Sequence, residues 1–194
     1  MLATIRASAV IASAIIAFAT ATPSMASDID RLSINTESTL AASAPVETAA
    51  APSASLSELV EAYAGAEAPN ADQECIAAAV YFEARGEPVE GQLAVAEVVL
   101  NRAASGKYPA SICAVVKQAS QFSFVRKGRI PRIAKATEAW RKAVAIAHVA
   151  WERLAQQIGS DVLWYHANYV RPGWGRRLTR VTQIGAHIFY SGNG

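Results

Sequence analysis

Apolar and polar positions between residues 72 and 190 follow two different periods. Apolar residues recurring at spacings of three and four predict helices, and strict alternation predicts short strands. The predicted helices span residues 72–86, 88–102, 111–118 and 134–158. The predicted strands span residues 121–125, 163–166, 180–184 and 187–190. Because the helices come first and most of the strands come late, the order favours an α+β fold with a small antiparallel sheet.

Capping residues set some of these helix ends. Asp72 can cap the first helix and Gly86 can end it, while Ser111 can cap the third. The second helix has only a narrow polar stripe, formed by Glu90, Glu97 and Asn101. Most of its circumference must therefore be buried, which predicts that it is the central helix of the core.

The first 71 residues differ in character from the rest of the chain. Residues 1–26 combine Arg6, an uncharged apolar run and the small-residue pattern Ser24-Met25-Ala26, which is typical of a cleaved signal peptide. The alternative is an uncleaved anchor, although the run is shorter than the roughly 20 residues that a membrane-spanning helix needs. Residues 27–71 are rich in Ala, Ser, Glu and Pro and predict a disordered linker. The folded domain is then expected at residues 72–194.

The net charge of +2 is an average over two unlike halves. Residues 72–194 hold 16 Lys and Arg against 9 Asp and Glu, whereas residues 1–71 hold 2 against 7. Several of the cations cluster in a loop at residues 126–135. For an exported domain this loop favours an anionic polymer of the cell envelope over nucleic acid, although it could equally be an ordinary solvated loop.

The two cysteines, Cys75 and Cys113, form an even pair. In an exported chain such a pair predicts a disulfide bond. The alternative is a thiol nucleophile with His148 or His166 as its base. The three histidines lack the close spacing of zinc ligands, so no metal site is expected.

Three carboxylates are candidates for acid–base chemistry. Glu83 follows Tyr81 and Phe82 at the end of a hydrophobic helix, and a carboxyl group against aromatic surface has a raised pKa. Glu87 lies close by, and either carboxylate could instead pair with Arg85 at the surface. Glu97 lies among apolar neighbours, where it is either functional or a satisfied core carboxylate. The residues alone leave this choice open.

The domain resembles the SleB/CwlJ-type cell wall hydrolase family over nearly its whole length. The segments that carry the resemblance are Glu83-Ala-Arg-Gly-Glu-Pro, Gly91-Gln-Leu-Ala-Val-Ala-Glu-Val-Val-Leu-Asn-Arg, Tyr108-Pro, Gln121-Phe-Ser-Phe, Tyr165-His-Ala and Val181-Thr-Gln-Ile-Gly-Ala-His-Ile-Phe-Tyr. The resemblance implies a lysozyme-like α+β fold related to lytic transglycosylases. It also implies peptidoglycan as the substrate and Glu83 as the catalytic acid.

This resemblance, with the residue types around the motifs, suggests a substrate groove. Polar side chains would bind sugar hydroxyl and acetamido groups and aromatic rings would stack on sugar faces. The candidates are Gln121, Ser123, Tyr165, His166, Asn168 and Trp174. For each of them a purely structural role is an equal alternative.

A lytic transglycosylase needs only one carboxylate, which suits a sequence in which Glu87 is the one other acid of the Glu83 motif. Glu83 would act as acid and then as base between N-acetylmuramic acid and N-acetylglucosamine. The alternatives are a noncatalytic peptidoglycan-binding module of the same fold and an amidase. We expect an exported monomer of the periplasm or cell envelope that uses no cofactor, binds no nucleic acid and retains no membrane span after processing.

Overall fold

The computed structural model describes residues 54–192. The predicted signal peptide and residues 27–53 of the predicted linker lie outside this range. Five helices are described, α1 Leu56–Tyr63, α2 Ala71–Ala84, α3 Val89–Ala104, α4 Ile112–Lys117 and α5 Glu138–Trp151. They are followed by β1 Val162–Ala167, a 3₁₀ turn at Gly175–Arg177, β2 Thr179–Ile184 and β3 His187–Ser191. None of the described helices is long and apolar enough to cross a membrane.

The helical core surrounds α2 and α3. Residues Ile76 to Val80 of α2 are at most 1% exposed, because α3, α4 and α5 all pack against this helix. In α3, Leu93 to Ala96 are fully buried, so the prediction of a central core helix is confirmed.

The three strands form one antiparallel sheet in the order β1-β3-β2. A second, smaller core joins this sheet to the helices. In it Phe189 of β3 and Val162 of β1 meet Val95 and Val98 of α3, together with Ala84 at the end of α2. The C-terminal end of α2 therefore lies where the helices meet the sheet.

Four sequence expectations need correction. The first helix is capped by Asn70, whose side chain accepts from the Gln73 N–H, and not by Asp72. Asp72 instead accepts from the backbone N–H of Cys113, which ties α2 to α4. Residues 121–125 form turns and not a strand, because Ser120 has a φ of +64° and the Val125 N–H donates to the Phe122 carbonyl.

The other two corrections concern the ends of helices. The predicted helix 134–158 is observed only as α5, because Arg153 has a φ of +54° and the chain then turns back toward α3. The predicted linker contains α1, which begins with a capping box formed by Ser55 and Glu58. Val60 of this helix is 5% exposed because α1 packs on α5.

A disulfide bond joins Cys75 to Cys113, as the sequence predicts. It links α2 to α4 across a sequence separation of 38 residues, with the Cα atoms 5.3 Å apart. Neither thiol is free to act as a nucleophile, which removes that alternative.

We predict that the Cys75→Ala/Cys113→Ala variant unfolds more easily than the unchanged chain. A crosslink over this separation restricts the unfolded chain by about 4 kcal/mol in the chain-entropy model. The free energy of unfolding, measured by urea titration, should fall by about that amount, and reductant should weaken only the unchanged chain. A loss well below about 1 kcal/mol would show that the bridge contributes little.

Candidate active site

Glu83 occupies the last turn of α2 and is partly buried. The residue after it, Ala84, is 1% exposed in the smaller core, which fixes the direction of the helix end. The Glu87 N–H donates to the Ala84 carbonyl at 2.9 Å and closes the turn that follows. The carboxyl group of Glu83 is thus held at the junction of helices and sheet.

Tyr165 of β1 faces Glu83. Its hydroxyl donates to Oε2 of Glu83 over a long contact of 3.5 Å. Burial raises the pKa of Glu83, while the Tyr165 hydrogen bond and the positive charge of Arg102 act in the opposite direction. Its environment therefore favours the protonated acid but also supports the carboxylate.

Arg102 is a buried cation on α3, 5% exposed. Its Nε donates to the Leu163 carbonyl at 2.8 Å, and its guanidinium carbon lies 5.2 Å from the Tyr108 ring centroid and 5.7 Å from that of Phe122. Within residues 54–192 no carboxylate forms an ion pair with it, and its Nη1 has no hydrogen-bond partner. Burial lowers the pKa of Arg102, whereas the charge of Glu83 is among the interactions that raise it.

Glu87 holds the turn between β2 and β3. Its Oε2 accepts from the Ala186 N–H at 2.8 Å, and its backbone carbonyl accepts from the Gln92 amide at 2.9 Å. The turn comes close because Gly185 has a φ of +57° and no Cβ, which would overlap the Glu87 carboxylate. Glu87 is therefore engaged in holding structure.

His187 is a site residue that the sequence reasoning did not single out. It is 6% exposed, and its ring meets the Tyr165 ring edge-on with centroids 5.1 Å apart. Burial lowers the pKa of His187, although the charge of Glu87 opposes this shift. Its Nδ1 has no hydrogen-bond partner in the described part of the chain. In the sequence, His187 is indicated only by its place in the Gly-Ala-His-Ile-Phe segment. Arg102 is likewise indicated only by its place at the end of the motif that forms α3.

Gln121 and Ser123 lie in the turns after α4. Phe122 packs beside Arg102, and the Phe124 ring stacks on Phe82 with centroids 4.6 Å apart, so both aromatic residues anchor this segment. The side chains of Gln121 and Ser123 make no hydrogen bond to a described residue, which leaves them available to a ligand.

Three other predicted sugar-binding residues, His166, Asn168 and Trp174, lie together on the face of the sheet away from Glu83. Successive strand residues point to opposite faces, so His166 faces away from the side on which Tyr165 meets Glu83. There His166 Nε2 lies 2.9 Å from the Tyr190 hydroxyl, and Trp174 packs edge-on against both rings. His166 and Asn168 line a cavity of about 560 Å³. The predicted groove residues therefore form two separate groups, and Tyr165 is the member that contacts Glu83.

Glu97 is a satisfied core carboxylate. It is 7% exposed, and its oxygens accept from the backbone N–H groups of Gln157 and Ile158 at 3.0 Å. Burial raises the pKa of Glu97 to about 7, against the lowering effect of these hydrogen bonds. Its role is to hold the segment after α5 against α3.

No three His, Cys, Asp or Glu side chains group closely enough to hold a metal ion in the part of the chain that the structure describes. His148 instead packs against Tyr63 of α1, with ring centroids 4.0 Å apart.

Comparison with known proteins gives a consistent result. Residues 86–190 match the family model described as Cell Wall Hydrolase. The chain is 36% identical over 118 residues to the spore cortex-lytic enzyme of Oceanobacillus iheyensis, covering 61% of this chain and 41% of that protein. It is 37% identical over 123 residues to the spore cortex-lytic enzyme of Bacillus subtilis, covering 62% of this chain and 37% of that protein. It thus spans about two fifths of the length of these curated relatives.

Two solved structures have the same fold. One is the catalytic domain of the germination-specific lytic transglycosylase SleB from Bacillus anthracis, with a TM-score of 0.52 and 34% identity over 63% of this chain and 99% of that one. The other is the catalytic domain of the Bacillus cereus SleB protein, with a TM-score of 0.50 and 30% identity over 62% of this chain and 89% of that one. The expected lysozyme-like α+β fold is confirmed.

We predict that Glu97→Gln flattens the dependence of stability on pH. Glu97 has a higher pKa in the folded chain than its ordinary value of 4.5, so the folded state binds the extra proton between pH 4.5 and about 7. The stabilisation that Glu97 gives to the folded chain is therefore complete below pH 4.5 and is lost as pH rises through about 7. The difference in Tm between pH 5 and pH 8 should shrink by about 5 °C in the variant.

The exposed Glu90, on the same helix, supplies the matched control for this measurement. Glu90→Gln should leave the pH dependence of Tm unchanged. Parallel curves for the unchanged chain and Glu97→Gln would contradict the prediction.

Proposed function

The chain belongs to the Cell Wall Hydrolase family, and we propose that it cleaves peptidoglycan between N-acetylmuramic acid and N-acetylglucosamine as a lytic transglycosylase. Glu83 is the proposed catalytic residue. The observation that carries the proposal is the half-buried Glu83 carboxyl group beside Tyr165. Burial raises the pKa of Glu83, while the Tyr165 hydroxyl and the Arg102 charge act to lower it. The names of the SleB catalytic domain and of the spore cortex-lytic enzymes support the same substrate class.

In the first step, protonated Glu83 gives its proton to the glycosidic oxygen. The bond between that oxygen and C1 of the muramic acid then breaks, and positive charge develops on the sugar ring. The leaving sugar departs with the proton from Glu83. Burial of Glu83 assists this step because it raises the pKa of the carboxyl group and so increases the fraction of Glu83 that is protonated.

In the second step, the Glu83 carboxylate removes the proton from the 6-hydroxyl of the same muramic acid. The freed oxygen bonds to C1, which gives a 1,6-anhydro sugar without the addition of water. Burial of Glu83 assists this step because it makes the carboxylate a stronger base, whereas Tyr165 and Arg102 assist the first step because they stabilise the carboxylate that it leaves behind.

The engagement of Glu87 supports a mechanism with one carboxylate. Inverting and retaining glycosidases that hydrolyse the bond use two carboxyl groups, one on each side of it. The carboxylate of Glu87 accepts from the backbone of the β2–β3 turn, so it is not free to serve as that second group.

The proposed reaction would take place where peptidoglycan is found, in the periplasm or elsewhere in the cell envelope. All the groups invoked come from a single chain, so we propose that a monomer suffices. A noncatalytic binding module would keep the same groove but release no product, which makes product analysis the decisive measurement.

We predict that Glu83→Gln lowers the rate of release of soluble muropeptides from purified sacculi by at least about 100-fold, because the amide cannot donate a proton to the glycosidic oxygen. Mass spectrometry of the products from the unchanged chain should find 1,6-anhydro ends. Glu90→Gln makes the same substitution at an exposed residue and should retain full activity. Reducing ends would mean that water is used, and full activity of Glu83→Gln would remove Glu83 from the mechanism.

We also predict that Tyr165→Phe moves the alkaline limb of the pH–rate profile to higher pH. The Tyr165 hydrogen bond lowers the pKa of Glu83, so its loss raises that pKa and keeps the acid protonated at higher pH. The measurement is kcat/KM for sacculi between pH 5 and 9. A shift in the opposite direction, or a lower rate with no shift, would contradict the role given to Tyr165.

A further inference from the structure

A cleft of about 920 Å³ lies along the first half of α2, away from the carboxyl group of Glu83. Its floor includes Ala71, Cys75 and Ala78 of α2, and its opposite wall is formed by residues 128–136. The disulfide bond closes one side through Cys113. Nothing in the proposed reaction uses this cleft.

The floor of the cleft lies on one face of α2, and the same face continues past the cleft to Phe82. Its floor residues are followed at helical spacing by Phe82, the residue before Glu83, so they share a stripe with it. Phe82 stacks on Phe124, and the chain after Phe124 continues into the wall of the cleft. At 1.5 Å per residue, Ala78 lies about 7.5 Å and Glu74 about 13.5 Å along the axis from Glu83.

The rim of the cleft is cationic. Lys117, Arg129, Arg132 and Lys135 contribute to its lining. Lys135 is paired with Glu74, with Nζ and Oε1 2.6 Å apart. Among residues 54–192, no acidic side chain lies within ion-pair distance of the other three. Positive charge is therefore available above a floor of small apolar side chains.

We propose that this cleft binds the anionic stem peptide of the muramic acid at the scissile bond, and that the chain therefore prefers peptide-bearing glycan. This inference rests on the proposed function. Stem peptides combine alanine with residues that carry carboxylates, which complements the alanine floor and the cationic rim. An extended peptide spans about 3.5 Å per residue, so four residues reach about 14 Å, as far as Glu74 lies from Glu83.

The test compares two forms of the same substrate with the full chain. One is intact sacculi, and the other is sacculi from which an amidase has removed the stem peptides. The initial rate of release of anhydro-sugar ends is measured on each. We expect the unchanged chain to act about tenfold faster on the intact form, the effect of one charge-assisted hydrogen bond.

The Arg129→Ala/Arg132→Ala variant should lose most of this preference and keep its rate on denuded glycan. Both side chains are exposed, so the fold should tolerate the change, and an equal Tm checks this. Arg126→Ala is the matched control, because Arg126 is an exposed cation of the same loop that does not line the cleft. It should retain the preference.

Three results would overturn the inference. They are equal rates of the unchanged chain on both substrates, an equal loss on both substrates in the double variant, and an effect of Arg126→Ala as large as that of the double variant. In each case the release of anhydro ends leaves the proposed function standing. If the unchanged chain releases no glycan product from either substrate, the proposed function fails and the inference fails with it.

Discussion

The enclosure of α2 by three other helices fixes the position of the candidate active site. The buried middle of α2 cannot rotate or shift without disrupting the packing of α3, α4 and α5 together. The Cys75–Cys113 disulfide and the hydrogen bond from Cys113 to Asp72 anchor its beginning, and Ala84 in the smaller core anchors its end. Glu83 gains a defined position beside the sheet because the backbone that carries it is anchored at both ends of the helix.

The same burial creates the electrostatic balance at Glu83. A carboxyl group removed from water is favoured in its neutral form, and this effect alone would oppose the formation of the carboxylate when Glu83 gives up its proton. Arg102 limits this rise in the pKa of Glu83, because its positive charge acts on the carboxyl group. Among the described residues, this buried cation forms no ion pair with a carboxylate. A direct ion pair would lower the pKa of Glu83 more strongly, whereas a charge at a distance and the long Tyr165 contact lower it by less than burial raises it.

Local patterns predicted what local physics decides. The helices α2, α3 and α4, the three strands of the sheet and the disulfide follow from periodicity and cysteine count, whereas the choice of Glu83 as the proposed acid came from the family resemblance. The early end of α5 was not predictable, because the carboxylate that binds the segment after it, Glu97, lies 60 residues earlier in the chain. Arg102 and His187 were missed for the same reason, since only tertiary packing brings them to Glu83 and Tyr165.

The alternation of the sheet explains why neighbouring residues of one motif do different work. Tyr165 and His166 are adjacent in sequence, yet one faces Glu83 and the other faces the cavity with Tyr190. Residues that are adjacent in one sequence motif therefore belong to two different surfaces when the motif forms a strand. The segment after α4, in contrast, reaches two separate places on α2. Phe124 stacks on Phe82, the residue before Glu83, and residues 128–136 line the cleft along the first half of α2. One segment of the chain therefore connects the end of α2 that carries Glu83 with the cleft along the first half of this helix.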